Sequence, residues 1–170
     1  ASTIHAELDN DYGRSKMAAE QLLEERADRL GLPLVILRIA NVFGAGCRPF
    51  YNSVVATFCH QVALGEEPQV LNDAELSLAS VNEVVSRLVE LATTDRPKLN
   101  KVRETVAGSC TIRVSEIRDR LIAFREMRAK GVIPDFQSLF DRELYATLVS
   151  YIPPDEWALD LERHTDERGG

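Results

Sequence analysis

The sequence has only three cysteines and three histidines among its 170 residues. Cys47, Cys59 and Cys110 are an odd number without paired spacing, and a chain of this size does not depend on disulfides, so they are read as reduced thiols. His5, His60 and His164 stand at no ligand spacing with each other or with those cysteines, which argues against a metal site. A long apolar run is missing as well. The stretch from Leu32 to Phe43 is interrupted by Arg38 and is too short to span a bilayer, and no signal-peptide pattern opens the chain. Both absences point to a cytoplasmic protein with no membrane partner. Positive charge is not in excess: the formal net charge is -7 and the pI is near 5.0. Lys and Arg are interspersed with carboxylates, so nucleic acid is not expected as a partner. The nine glycines form neither a Gly-x-Gly-x-x-Gly nor a Gly-x-x-Gly-x-x-Gly loop. The chain therefore lacks the usual cradle for a dinucleotide pyrophosphate.

A hydrophobic content of 45% is enough to bury one core. Met17, Ala18, Leu22, Leu23, Ala27 and Leu30 recur at helical spacing, and Gly31 and Pro33 end the pattern, which predicts a helix over 11–30. Residues 34–39, Leu-Val-Ile-Leu-Arg-Ile, follow it directly and read as a buried parallel strand. Gly44 and Gly46 mark a loop. Further helices are predicted over 52–64, 82–93, 115–130 and 136–151, and extended segments over 69–72, around Leu76–Ser80, and over 103–108. Ser80-Val-Asn-Glu83 has the spacing of a capping box. Strands alternating with helices predict an α/β architecture with a largely parallel sheet, and the helical end predicts a small lobe beside it. Fold class says nothing of chemistry.

The chemistry-bearing pair is Tyr12 and Lys16. Four residues apart on the first helix, they leave the same face one turn apart. A cation beside a phenol stabilises its ionised form, so such a pair can move a proton to or from a hydroxyl. The spacing alone is unspecific, since an exposed Tyr and a solvated Lys on a surface helix give the same pattern.

The surroundings are more specific. Asp11-Tyr-Gly-Arg-Ser-Lys16 opens the helix, and Leu37-Arg-Ile-Ala-Asn-Val-Phe-Gly-Ala-Gly46 follows it. Together they resemble the active-site helix and the next strand and loop of extended short-chain dehydrogenases, the NAD-dependent epimerase/dehydratase family that acts on nucleotide sugars. The resemblance implies the C-terminal half of a Rossmann-like parallel sheet with a small, mostly helical substrate-binding lobe. It implies that Tyr12 is the catalytic acid/base and that Lys16 holds the nicotinamide ribose and lowers the Tyr12 pKa. Relatives also place a hydroxyl on the reacting oxygen from the end of the preceding strand. Ser2 and Thr3 are the candidates, and Thr3 is preferred. Ile39 and Ala40 correspond to residues lining the nicotinamide, Asn41 to an Asn that contacts the nucleotide-sugar substrate, and Asn52 to one that contacts its diphosphate. A helix N-terminus at Asn52 suits phosphate, and a plain N-cap there is compatible with the same role.

A narrower resemblance covers nearly the whole chain. Tyr51-Asn-Ser-Val-Val-Ala-Thr-Phe-Cys59, the run from Leu144 to Pro153, and Asp166-Glu-Arg-Gly169 are similar to bifunctional capsular-polysaccharide enzymes that join a reductase domain to a C-terminal cupin. This implies reduction of the C4 ketone of a 4-keto-6-deoxy UDP-N-acetylhexosamine, with NADPH favoured over NADH. Residues 1–152 are then the C-terminal part of the dehydrogenase domain, and 153–170 a linker and the start of a truncated cupin-like domain. A fragment is expected, inactive by itself, whose complete protein is a homodimer. Epimerase relatives carry an Arg where Leu76 stands, which leans towards reduction. The alternatives are a 4-epimerase or dehydratase of the same superfamily, or a non-catalytic dehydrogenase-like binding module.

Overall fold

The computed structural model describes residues 1–93 and 102–156. Its elements are β1 (Ser2–Thr3), a 3-10 turn (Ile4–Glu7), α1 (Asp11–Leu30), β2 (Val35–Ile39), β3 (Asn41–Phe43), α2 (Val54–Ala63), β4 (Glu75–Ser80), α3 (Val81–Thr93), β5 (Val102–Val106), β6 (Cys110–Arg113), α4 (Val114–Ala129), α5 (Leu139–Val149) and a 3-10 turn (Pro154–Glu156). The chain divides into two compact units: Ala1–Phe43 with Glu75–Ile112, and Gly44–Ala74 with Arg113–Gly170. The expected α/β class and helical lobe are both present. No helix among the described residues is long and apolar enough to cross a membrane.

In the first unit β2 lies between β1 and β5, parallel to both, with Ser2 opposite Arg38, Thr3 opposite Ile39, and Val35–Ile39 opposite Val102–Val106. Alternation along β2 sorts its side chains between two helices. Leu37 and Ile39 form a core with Ala79 and with Val84 of α3, packed further by Val35, Leu91 and Val106. Arg38 turns the other way, to α1. Ion pairs reinforce both faces: Arg87 of α3 grips Glu104 of β5 through two hydrogen bonds of 2.6 Å, and Arg103 of β5 reaches Glu24 of α1 at 2.9 Å.

A second sheet orders β3, β4 and β6, with β3 parallel to β4. The apolar run after α1 thus serves two sheets rather than one. At Ala40 the backbone N–H still donates to Val106, and from Asn41 onward the strand pairs with β4 instead. β3 and β6, with three and four residues, are too short for periodicity to reveal. The capping box at Ser80 forms: the Ser80 hydroxyl accepts from the Glu83 N–H at 3.2 Å, and the Glu83 carboxylate accepts from the Ser80 N–H at 2.6 Å.

The second unit is built from α2, α4 and α5 around Val55, Phe58, Cys59, Val62, Ile117, Leu121, Leu144 and Leu148, all at most 5% exposed. Phe136 lies outside α5, where its ring meets Phe124 and Tyr145, and the Ser138 side chain caps the helix instead. The strand expected over 69–72 is absent. Pro68 is buried but Leu71 is 97% exposed, so the segment has no buried face to specify pairing. Asp73 there caps α4, accepting the Ser115 N–H at 2.8 Å, and this bond holds its carboxyl below the usual range. The cupin-like start expected within 153–170 lies, from residue 157 on, outside the described residues.

Candidate active site

Four of the expected residues lie at or next to the carboxyl ends of parallel strands, and two of those four are register partners. Thr3 ends β1 and faces Ile39, which ends β2; Ala40 follows, and Asn41 opens β3. Carboxyl ends of parallel strands are where open α/β sheets bind ligands. Tyr12 and Lys16 occupy the first two turns of α1. Asn10 caps that helix, its side chain accepting the Gly13 N–H at 2.8 Å, and Gly31 closes it in the left-handed conformation at φ 63°.

The segment after Thr3 presses directly on the start of α1. The Thr3 hydroxyl accepts the His5 N–H at 3.2 Å and so caps the 3-10 turn. Gly13, next to Tyr12, is buried against that turn; a Cβ there would fall 2.1 Å from the Leu8 carbonyl oxygen and 2.9 Å from that of His5. Any side chain at this position would push the Tyr12 turn away from the strand end, which is why Tyr is followed by Gly.

Tyr12 is 53% exposed, and the Lys16 ammonium sits 5.4 Å from its ring centre. The pair expected from the sequence is therefore a pair in space, with its phenol open to a ligand. Asn41 donates to the Ser77 carbonyl at 3.3 Å, which orients its side-chain amide. Ile39 is 9% exposed and packs in the α3 core, and Ala40 is 6% exposed, so neither expected nicotinamide-lining residue presents much side-chain surface. Asn52 belongs to the second unit. It is exposed and is not the cap of α2, because Ser53 takes that place, accepting the Ala56 N–H at 3.2 Å.

The sequence reading missed a buried charged group further along the same helix. Glu20, one turn beyond Lys16, is 2% exposed. It accepts from the Ser2 hydroxyl at 2.5 Å and from Arg38 at 2.8 and 3.0 Å, with Arg103 at 3.6 Å. The Arg38 hydrogen bond, aided by Ser2 and by the charges of Arg38 and Arg103, holds the Glu20 carboxyl below the usual range against the opposing effect of burial. Arg38 also bonds Glu7 at 2.5 Å. An Arg inside an apolar strand was the available signal, since a charge in a buried run needs a partner. The face of α1 that is buried runs through Gly13, Glu20 and Ala27. The expected apolar stripe differs from it: Leu22, Leu23 and Leu30 are 67%, 55% and 50% exposed.

A nicotinamide dinucleotide is the cofactor implied by the motifs. The residues that suit its nicotinamide end are an exposed tyrosine and a lysine ammonium on the first two turns of α1. They supply no glycine loop for its pyrophosphate.

The chain is similar to known proteins in sequence and in fold. Residues 2–107 match the model of the NAD dependent epimerase/dehydratase family. The chain is 38% identical over 169 residues to UDP-2-acetamido-2,6-beta-L-arabino-hexul-4-ose reductase of Pseudomonas aeruginosa, which covers 99% of this chain and 45% of that protein. Among solved structures it resembles the capsular polysaccharide assembling protein CapF of Staphylococcus aureus, with a TM-score of 0.84 and 36% identity over 99% of this chain and 46% of that one. UDP-glucose 4-epimerase of Thermotoga maritima, solved with UDP-glucose, shares the fold at a TM-score of 0.66 and 22% identity, over 82% of this chain and 52% of that one. The chain thus spans under half the length of the two more similar relatives.

Proposed function

The chain belongs to the NAD dependent epimerase/dehydratase family, and we propose that it is the catalytic-helix and substrate-lobe portion of a reductase acting on a 4-keto-6-deoxy UDP-N-acetylhexosamine in capsular or surface polysaccharide synthesis. The observation that carries this reading is the exposed Tyr12–Lys16 pair on α1, whose first turn packs against the segment that follows Thr3. The choice of reduction over epimerisation rests on the 38% identity to a hexulose reductase and the likeness to CapF.

A nicotinamide cofactor, with NADPH favoured, would supply the hydride for C4 of the sugar when bound. Tyr12 donates its phenolic proton to the C4 oxygen, so the ketone becomes an alcohol and the tyrosine is reprotonated from solvent. Lys16, 5.4 Å from the ring centre, offsets the negative charge left on the phenol oxygen and holds the nicotinamide ribose. The Thr3 hydroxyl donates a hydrogen bond, not its proton, to the same C4 oxygen while its own oxygen accepts from the His5 N–H. Ile39 and Ala40 line the nicotinamide, Asn41 binds the sugar, and Asn52 binds the diphosphate. Residues 1–152 form this reductase part and 153–170 lead into a cupin-like domain. The complete protein is cytoplasmic and homodimeric, with no nucleic-acid partner; exposed Leu22, Leu23 and Leu30 of α1 offer an apolar surface for self-association.

The reaction type is tested by stoichiometry. The full-length protein, given the 4-keto sugar and NADPH, is expected to oxidise one NADPH per reduced sugar formed. Product without net nicotinamide oxidation would replace the reductase by a 4-epimerase, and no turnover in either assay would favour a binding module.

A further inference from the structure

Two carboxylates are buried among the described residues, Glu20 at 2% and Asp141 at 9% exposure. Asp141 has local work: it bonds Ser138 and Arg120 at the start of α5. Glu20 is different, because its partners come from every strand of the sheet beneath it. Ser2 lies on β1, Arg38 on β2 and Arg103 on β5. One carboxylate on α1 therefore touches all three strands.

Directional bonds from three strands to one buried charge specify a single register of helix on sheet, in addition to what apolar packing imposes. Tyr12 and Lys16 precede Glu20 by eight and four residues on one continuous helix, so their side chains turn and rise with it. Fixing Glu20 fixes the height and rotation of that helix. Ser2 is the residue before Thr3, so its bond to Glu20 ties the end of β1 to the same helix.

We propose that Glu20, with Ser2 as its tether, is a positioning residue that sets the distance between the Tyr12 phenol and the Thr3 hydroxyl. Arg38 is its counter-ion and Glu7 steadies Arg38. This rests on the reading of Tyr12 and Thr3 as the groups at the reacting oxygen.

The test uses the full-length protein with the 4-keto sugar and NADPH, comparing Ser2→Ala, Ser2→Thr, Glu20→Asp and the Ser2→Ala/Glu20→Asp double variant, with Tyr12→Phe as the reference. Ser2→Ala and Glu20→Asp are each expected to lower kcat by about 10-fold to 100-fold, the scale of a misplacement near 1 Å. KM for the sugar and Kd for NADPH should stay near their original values. Ser2→Thr, which keeps the hydroxyl, should restore kcat, and the double variant should lose no more than Glu20→Asp, because both changes cut one tether. Should Glu20→Asp fail to fold, the Ser2→Ala and Ser2→Thr pair decides. Unchanged kcat in Ser2→Ala beside an inactive Tyr12→Phe overturns the positioning role and leaves the site reading intact. Loss in Ser2→Ala with Glu20→Asp silent also overturns it, since Ser2 would then act on substrate directly. Full activity in Tyr12→Phe removes the site reading and this proposal together.

Discussion

In the first unit the helix bearing Tyr12 meets its sheet through Glu20, Arg38, Arg103 and Glu24, whereas in the second unit α2, α4 and α5 meet through Phe58, Val62, Ile117, Leu121, Leu144 and Leu148. The difference separates two modes of attachment. The three helices of the second unit are held by a filled apolar core. The helix bearing Tyr12 is held to its sheet by buried, directional hydrogen bonds as well, which specify its height and rotation. The contrast also predicts that the two units respond to different insults.

The largest stability effect should come from the apolar core. Leu144→Ala removes a side chain with no exposure, and denaturant unfolding is expected to show a loss of about 2–5 kcal/mol. A smaller loss would mean that the three helices close over the cavity.

Acid should act on the first unit instead. The folded carboxyl of Glu20 is held below its ordinary value near 4.5, so its contribution is fully present above that value and disappears as pH falls through the lower, folded one. Hydrogen exchange across α1, β1 and β2 should rise over that interval, and Glu20→Gln should flatten the rise. Equal acid sensitivity in α2 and α5 would break the comparison. The smallest effect belongs to a single cap: Ser53→Ala, which removes the bond to Ala56, is expected to cost about 1 kcal/mol by the same denaturant measurement.

Much of this was legible in the sequence because it depends on local chemistry. Gly31 ends α1, Ser80 and Glu83 form their box, and Tyr12 and Lys16 meet, each through neighbours within a turn or so. What escaped depends on distant partners. Leu22, Leu23 and Leu30 looked like the buried stripe, yet the packed face of α1 is defined by Arg38 and Arg103, 18 residues and more away in the chain. The switch of β3 to a second sheet, and the displacement of the α2 cap from Asn52 to Ser53, turn on pairing and backbone angle rather than on composition. Gly13 escaped for a nearer reason, since its need for a bare Cα comes from how the backbone at Leu8 turns back on the helix start.

The account stands on Tyr12 as the proton donor, and the most direct measurement is turnover of the full-length Tyr12→Phe variant beside calorimetric binding of the nucleotide sugar. Turnover should fall by about 10²–10⁴-fold, the usual contribution of a proton-transfer group, with sugar affinity nearly unchanged. Full turnover in Tyr12→Phe, with sugar bound as before, would contradict it.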